Sequence, residues 1–233
     1  MDAGRHPLIE VITNAEVVKC AGEPGALTVT VRKHPRFVSE DLCVACGLCV
    51  DACPQVGGNE FDMGLMARKA IYRPYPQSVP ATYTIDRDAC LNFLSHLTER
   101  QKKRIDPEYT PNILVCGHCF ERCDVNAIDF DMQTEDSEID VGSILVAVGF
   151  QEFDARRLGN YGYGRYPNVV TSLELERMLN ASGVTQGHVV RPSDRQTPRR
   201  VVFIQCVGAR GEGGRPYCSR FCCMNAVKDS MLM

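Results

Sequence analysis

The 233-residue chain has room for one large or two small domains, and its 44% hydrophobic and 24% charged content is ordinary for a globular protein. A formal net charge of -3 makes no electrostatic case for nucleic acid or an anionic membrane. No apolar run reaches the roughly 18 residues that span a bilayer, so no membrane span is expected.

The opening residues, MDAGRHPLIEVITNAE, lack the basic-then-apolar pattern of a secretory signal. Thirteen cysteines without such a signal point to metal ligation in a reducing compartment rather than to disulfides. The expected location is therefore cytoplasmic.

Residues 8–32 read as β-structure. Leu27, Val29 and Val31 alternate with Thr28, Thr30 and Arg32, the period-2 pattern of a half-buried strand. Glu23-Pro24-Gly25 is a turn before it, and a strand around residues 16–20 pairs back as a hairpin. Cys20, with no cysteine near it, reads as a small buried hydrophobe.

Residues 43–54 spell C-x2-C-x2-C-x3-C-P, the run that holds cubanes in two-cluster ferredoxins. Three cysteines within seven residues let one tight loop present three thiolates to three irons. Gly47 stands where that loop needs no side chain. Pro54 has a φ suited to a first helical position, so a helix is expected to begin there.

Prolines from Pro74 to Pro80 argue against a long helix between residues 72 and 80, leaving an irregular segment. Cys90 follows, then an insertion over residues 91–115. Its basic run at residues 98–104 reads as a solvated helix face, with a docking patch for an acidic redox partner as the other reading. Beyond it, Cys116, Cys119 and Cys123 repeat the spacing of Cys46, Cys49 and Cys53. Asp124 stands where the first half has proline, and His118 inside the loop is expected to be exposed.

In two-cluster ferredoxins the fourth cysteine of each run serves the other cluster. That logic assigns Cys43, Cys46, Cys49 and Cys123 to cluster 1. It assigns Cys53, Cys90, Cys116 and Cys119 to cluster 2.

Residues 129–138 are acidic and read as a surface connection. The apolar run at residues 140–149 reads as a strand buried on both faces. Thr171 to Glu174 is a capping box opening a helix to about Ala181, stopped by Gly183. Residues 200–208 read as a second buried strand, ended by a turn that contains Gly208. The Gly-rich stretch at residues 211–214 is a weak phosphate loop, because no strand leads directly into it. Cys206, Cys218, Cys222 and Cys223 form a last constellation at the start of a helix. Their spacing fits no common ferredoxin run, and both a third cluster and a set of buried or redox-active thiols remain open.

These residues resemble those of the heterodisulfide reductase A family and related polyferredoxin flavoproteins. The resemblance rests on residues 43–54, on Arg68-Lys-Ala-Ile-Tyr72 with Gln77-Ser-Val-Pro80, and on Gly142-Ser-Ile-Leu-Val-Ala-Val-Gly-Phe150. It continues in Tyr161-Gly-Tyr-Gly164, Gln205-Cys-Val-Gly-Ala-Arg210 and Tyr217-Cys-Ser-Arg-Phe-Cys-Cys-Met224.

The resemblance implies an α+β fold: a ferredoxin-like two-[4Fe-4S] domain inserted into an incomplete thioredoxin-reductase-like (Rossmann-type) α/β flavoprotein fold. On this reading residues 1–36 are a partial FAD-domain β-hairpin and 37–138 the inserted ferredoxin domain. Residues 139–198 return to the FAD domain with a connecting helix. Residues 199–233 start a second Rossmann-type unit.

It further implies that Cys206, Cys218, Cys222 and Cys223 hold an unusual third cluster, and that Ala147, Val148 and Gly149 touch FAD. The G-G-G-I-A-G-like loop that cradles the FAD pyrophosphate in such flavoproteins is missing, so the chain is expected to be an internal or truncated portion. The implied function is an oxidoreductase's electron-transfer portion, not catalytic alone, relaying electrons between FAD and partner redox subunits. Implied partners are a hydrogenase or dehydrogenase module and a disulfide-reducing subunit. The alternative is a cysteine-rich zinc-binding interaction module without redox activity.

Overall fold

A computed structural model of the chain describes residue 4 and residues 6–93, 116–211 and 214–233. The basic run at residues 98–104 and part of the Gly-rich stretch at 211–214 lie outside the described residues. The chain divides into two compact units. The first comprises Met1–Gly58 and Ala67–Val146, the second Asn59–Met66 and Ala147–Met233.

The first unit opens with the expected hairpin, β1 (Ala15–Glu23) and β2 (Ala26–Lys33). Pro24 and Gly25 form its two-residue turn, and Gly25 has φ 92°, a value open to glycine and costly for other residues. Both strands join an antiparallel sheet of order β1-β2-β7, in which β7 is Glu135–Val141. The register sets Val29 opposite Ile139 and Arg32 opposite Asp136. The acidic stretch expected to be a plain connection is thus in part a strand. Its charges face matching partners: Arg32 bonds Asp136 through two nitrogens at 2.8 Å, and Thr28 donates to Asp140 at 2.8 Å. Cys20 is exposed rather than buried, because β1 is an outer strand of this sheet.

Between β2 and β7 the chain builds a second layer around the cysteines. Helix α1 (Leu48–Ala52) lies inside the first cysteine run and stops before Pro54, correcting the expected helix start. Cys53 caps it in an extended conformation (φ -70°, ψ 120°). The residue before a proline is pushed out of the helical region, which ends the helix there. Short strands follow: β3 (Val56–Gly58) pairs with β4 (Ala67–Lys69), and β5 (Ile71–Tyr72) with β6 (Thr84–Ile85). No helix forms between Tyr72 and Pro80, as the prolines require. Helix α2 (His118–Glu121) lies inside the second run, with His118 exposed.

In the second unit, α3 (Ser172–Leu179) begins at a complete capping box: Thr171 Oγ1 accepts from the Glu174 amide, and Glu174 accepts from the Thr171 amide at 2.6 Å. Leu175 and Met178 are buried beneath it. Arg177 is held by Asp62 at 2.8 Å and lies 4.3 Å over the Phe61 ring. Helix α4 (Cys222–Leu232) packs against α3, and Lys228 pairs with Glu176.

Of the two apolar runs expected to be buried strands, residues 140–149 and 200–208, only Asp140 and Val141 lie in a strand, at the end of β7. Residues 142–150 and 200–206 are irregular, and Leu145, Val148 and Val202 are 88%, 88% and 82% exposed. A strand is made by its neighbours' hydrogen bonds, and among the described residues none runs beside either segment.

Candidate metal centres

Two backbone pairings bring the cysteine runs of the first unit together. Val38 bridges Ile128, with the Ser39 amide bonded to Ala127 O at 2.7 Å and the Asp129 amide to Phe37 O at 3.1 Å. This ties the start of the first run to the end of the second, Cys43 to Cys123. On the other side β5 pairs with β6 through Ile71 and Ile85, and the Ala70 amide reaches Gln55 O at 3.2 Å. This ties the end of the first run to the start of the second, Cys53 to Cys90.

The core of this unit is made of the same residues. Phe37, Val38, Ala70, Ile71, Ile85, Ala127 and Ile128 form one buried cluster with Cys49, Cys53, Cys90 and Cys119, and Cys43 and Cys123 pack against it. A small cavity open to solvent is lined by Cys53, Cys90, Cys116 and Cys119 together with Ile71 and Asn92.

Thiols of the two runs influence one another electrostatically. Burial pushes the Cys49 thiol from 9.0 up to about 11, and the neighbouring Cys43, Cys46 and Cys123 thiols add to it. Burial pushes Cys119 up to about 12, with Cys90, Cys116, Cys53 and Cys49 adding, in that order. The Cys90 thiol is likewise raised, by burial first and then by Cys116 and Cys53. Such thiols stay protonated and unreactive until a metal displaces the proton.

Backbone groups also face the sulfurs. The Ala127 amide donates to Cys123 Sγ at 3.2 Å. Gly47 takes φ 91°, and the Tyr83 hydroxyl lies 3.4 Å from where its Cβ would be, so the glycine serves the loop by conformation. Among the described residues no three His, Cys, Asp or Glu side chains converge on a single-ion site. A cubane asks for something else, because it spaces four sulfurs at separate corners.

The remaining constellation has different surroundings. Cys206 takes a left-handed conformation (φ 60°) in an irregular segment, where a strand end was expected. The loop after it closes on itself: the Arg210 amide reaches Arg215 O at 2.8 Å and the Arg215 amide reaches Gly208 O at 2.9 Å. Gly208 (φ 73°) lies so close to the Phe153 ring that a Cβ would sit 2.2 Å from it. Cys218 and Cys223 are exposed, Cys206 and Cys222 half-buried. The Cys223 thiol is raised by desolvation, then by Cys222, Cys206 and Cys218, so the four share one neighbourhood. Arg210 approaches Cys206 Sγ at 3.8 Å, the Arg220 amide Cys218 Sγ at 3.3 Å and the Ser219 hydroxyl Cys222 Sγ at 3.6 Å. Ala147, Val148 and Gly149 stand in the exposed irregular stretch, with Gly149 at φ 71°. Sequence reasoning passed over Tyr83 and Asn92, because neither belongs to a cysteine run, and it gave Arg210 and Arg220 no role although both stand in the quoted motifs.

The family model of a 4Fe-4S binding domain matches residues 37–56. The whole chain is similar to the iron-sulfur A component of the CoB–CoM heterodisulfide reductase of Methanocaldococcus jannaschii. The two are 46% identical over 234 residues, which take in 100% of this chain and 32% of that protein. A component of the same kind from Methanopyrus kandleri is 47% identical over 237 residues, again 100% of this chain and 32% of the relative. The A component of the ferredoxin/F(420)H(2)-dependent CoB–CoM heterodisulfide reductase of Methanosarcina acetivorans is 40% identical over 98% of this chain and 26% of its own length. The chain therefore spans about a third or less of the length of these relatives. Over nearly its whole length the chain is similar to a portion of heterodisulfide reductase A proteins.

Proposed function

We propose that this chain is an electron-transfer portion of a heterodisulfide-reductase-A-like flavoprotein and holds three [4Fe-4S] clusters. Cluster 1 takes Cys43, Cys46, Cys49 and Cys123. Cluster 2 takes Cys53, Cys90, Cys116 and Cys119. Cluster 3 takes Cys206, Cys218, Cys222 and Cys223. The observation that carries the reading is that seven of these eight cysteines, all but Cys46, lie in or against one buried core or line the cavity beside it.

The residues fit such groups. Each set offers four thiols in mutual electrostatic reach, and amides or hydroxyls stand near several sulfurs. When bound, the clusters supply one-electron transfer. The chain's part is to bind them, to exclude water with Phe37, Ile71, Ile85 and Ile128, and to tune their potentials by hydrogen bonds, burial and charge. Buried amides and apolar walls serve clusters 1 and 2. Arg210 and the Arg220 amide serve cluster 3.

The flavin belongs to the longer protein in this reading, with Ala147, Val148 and Gly149 beside it. Residues 142–150 and 200–206 then supply strands to a sheet completed by other parts of that protein. Pairing of β2 with β7 supports the insertion, because the chain leaves and re-enters one sheet around the cysteine-bearing layer. Names of relatives, which speak of H(2), formate and ferredoxin, support redox partners of that chemistry.

The test is metal analysis of the full chain purified without oxygen. It should be brown with roughly twelve irons per chain. Cys222→Ser should remove about four of them and leave the visible spectrum of the other two clusters. Colourless protein with stoichiometric zinc overturns the reading, and unchanged iron in Cys222→Ser removes the third cluster from it.

A further inference from the structure

The two halves of the ferredoxin-like layer face unequal tasks. Only two residues separate Cys43 from Cys46, so the covalent loop alone sets their spacing. Cys90 and Cys116 have 25 residues between them, and no short connection holds the second pair.

Asn92 stands at that gap. Its Nδ2 donates to Cys116 O at 2.7 Å, and its Oδ1 accepts from the Cys116 amide at 2.9 Å. Both backbone groups of one cysteine are thus held by one side chain 24 positions earlier. This two-point amide pairing fixes orientation as well as distance, as a β-bridge does. The site is partly buried, so water competes poorly for the same groups.

Asn92 is itself held firmly. It sits in a 3-10 turn, Leu91–Phe93, anchored by the Cys90 amide on Asp86 O at 2.9 Å and the Phe93 amide on Cys90 O at 3.0 Å. The Phe93 ring packs on Phe37 with centroids 4.2 Å apart and lies 5.7 Å from Phe130. The turn is therefore part of the core. Cys90, Asn92 and Cys116 all line one cavity with Cys53 and Cys119.

We propose that the Asn92 carboxamide is the latch that sets Cys116 beside Cys90 and completes the second cysteine set. Asn92 is a positioning residue, acting through Cys116 and not as a ligand. The proposal rests on the assignment of Cys53, Cys90, Cys116 and Cys119 to one cluster. Only asparagine meets the geometry at this reach. Aspartate keeps the acceptor but loses the donor, and leucine keeps the volume but loses both.

The test uses the full chain, purified without oxygen, in a set of variants read by iron content and reduced-state EPR. Cys116→Ser comes first and should lose up to about four irons. If it retains all of them, the ligand assignment has failed, independently of the latch. Asn92→Leu should lose the same iron as Cys116→Ser, and the double variant should lose no more than either alone. Asn92→Leu combined with Cys43→Ser should instead show the sum of the two losses. Asn92→Asp should load fully but release iron from one cluster about tenfold faster to a chelator, the loss of one partly buried hydrogen bond. Wild-type iron content and release in both Asn92 variants overturns the latch. Loss of both ferredoxin-like clusters together in Asn92→Asp also overturns it, because the effect would then be general unfolding.

Discussion

The eight cysteines of the first unit's two runs and the four of the second unit stand in opposite surroundings. In the first unit half of the thiols belong to the core: Cys49, Cys53, Cys90 and Cys119 are 8–9% exposed and lie in one buried cluster with Ile71, Ile85 and Ile128, whereas Cys46 is exposed. In the second unit Cys218 and Cys223 are exposed, and the buried residues are elsewhere, at Leu175 and Met178 under α3. On the proposed ligand assignment iron in the first unit would take part in holding the fold, whereas in the second unit α3 and α4 pack on each other. A motif of four cysteines says nothing of this difference; the neighbours decide it.

Removing iron is the largest way to break the comparison. A metal whose ligands lie inside a small core contributes folding free energy on the order of 10 kcal/mol. After chelation, the amides of Ile85 and Asp86, bonded to Arg36 O and Ala70 O, should lose their hydrogen-exchange protection. The amides of Leu175 and Asn180 in and after α3 should keep theirs. Equal loss in both units would show that the second depends on iron as much as the first.

Ile71→Ala is the next largest. Ile71 is 1% exposed, lines the cavity of the second cysteine set and pairs with Ile85. Its truncation should cost about 3 kcal/mol and make iron of the first unit easier to remove, measured by denaturant titration with visible absorbance. A cost below about 1 kcal/mol would mean that the core does not close around that position.

Thr171→Ala is the smallest. It removes half of the capping box of α3 and should cost about 1 kcal/mol. Local hydrogen exchange in α3 should rise while the iron content of the first unit stays at its wild-type value. Iron loss there would break the comparison from the other side.

Local rules were the legible part. Alternation at Leu27, Val29 and Val31 with Pro24-Gly25 ahead was enough for a hairpin, and Thr171 with Glu174 for a helix start. Those signals act through residues a few positions apart. Pro54 misled, because its preference for a first helical position competes with its veto on the residue before it. The helix ends before Pro54 instead of beginning there. The acidic stretch at residues 129–138 hid the start of a strand, in which Asp136 is met by Arg32, far away in sequence. Hydrophobicity alone also misplaced most of residues 140–149 and all of 200–208, because an apolar run becomes a strand only where other strands lie beside it.

By itself the sequence determined the spacing of the cysteines. Spacing within each run is covalent, and the repeated interval from Cys46 to Cys53 and from Cys116 to Cys123 marks the two halves. Only the tertiary structure decided how the displaced Cys90 meets Cys116. That contact depends on Asn92, a residue outside every motif, whose carboxamide meets a backbone 24 positions away. Tertiary structure also decided which thiols are buried. Burial, and with it the rise of the Cys49 and Cys119 thiols to about 11 and about 12, is a property of neighbours brought together by folding, and no local spacing encodes it.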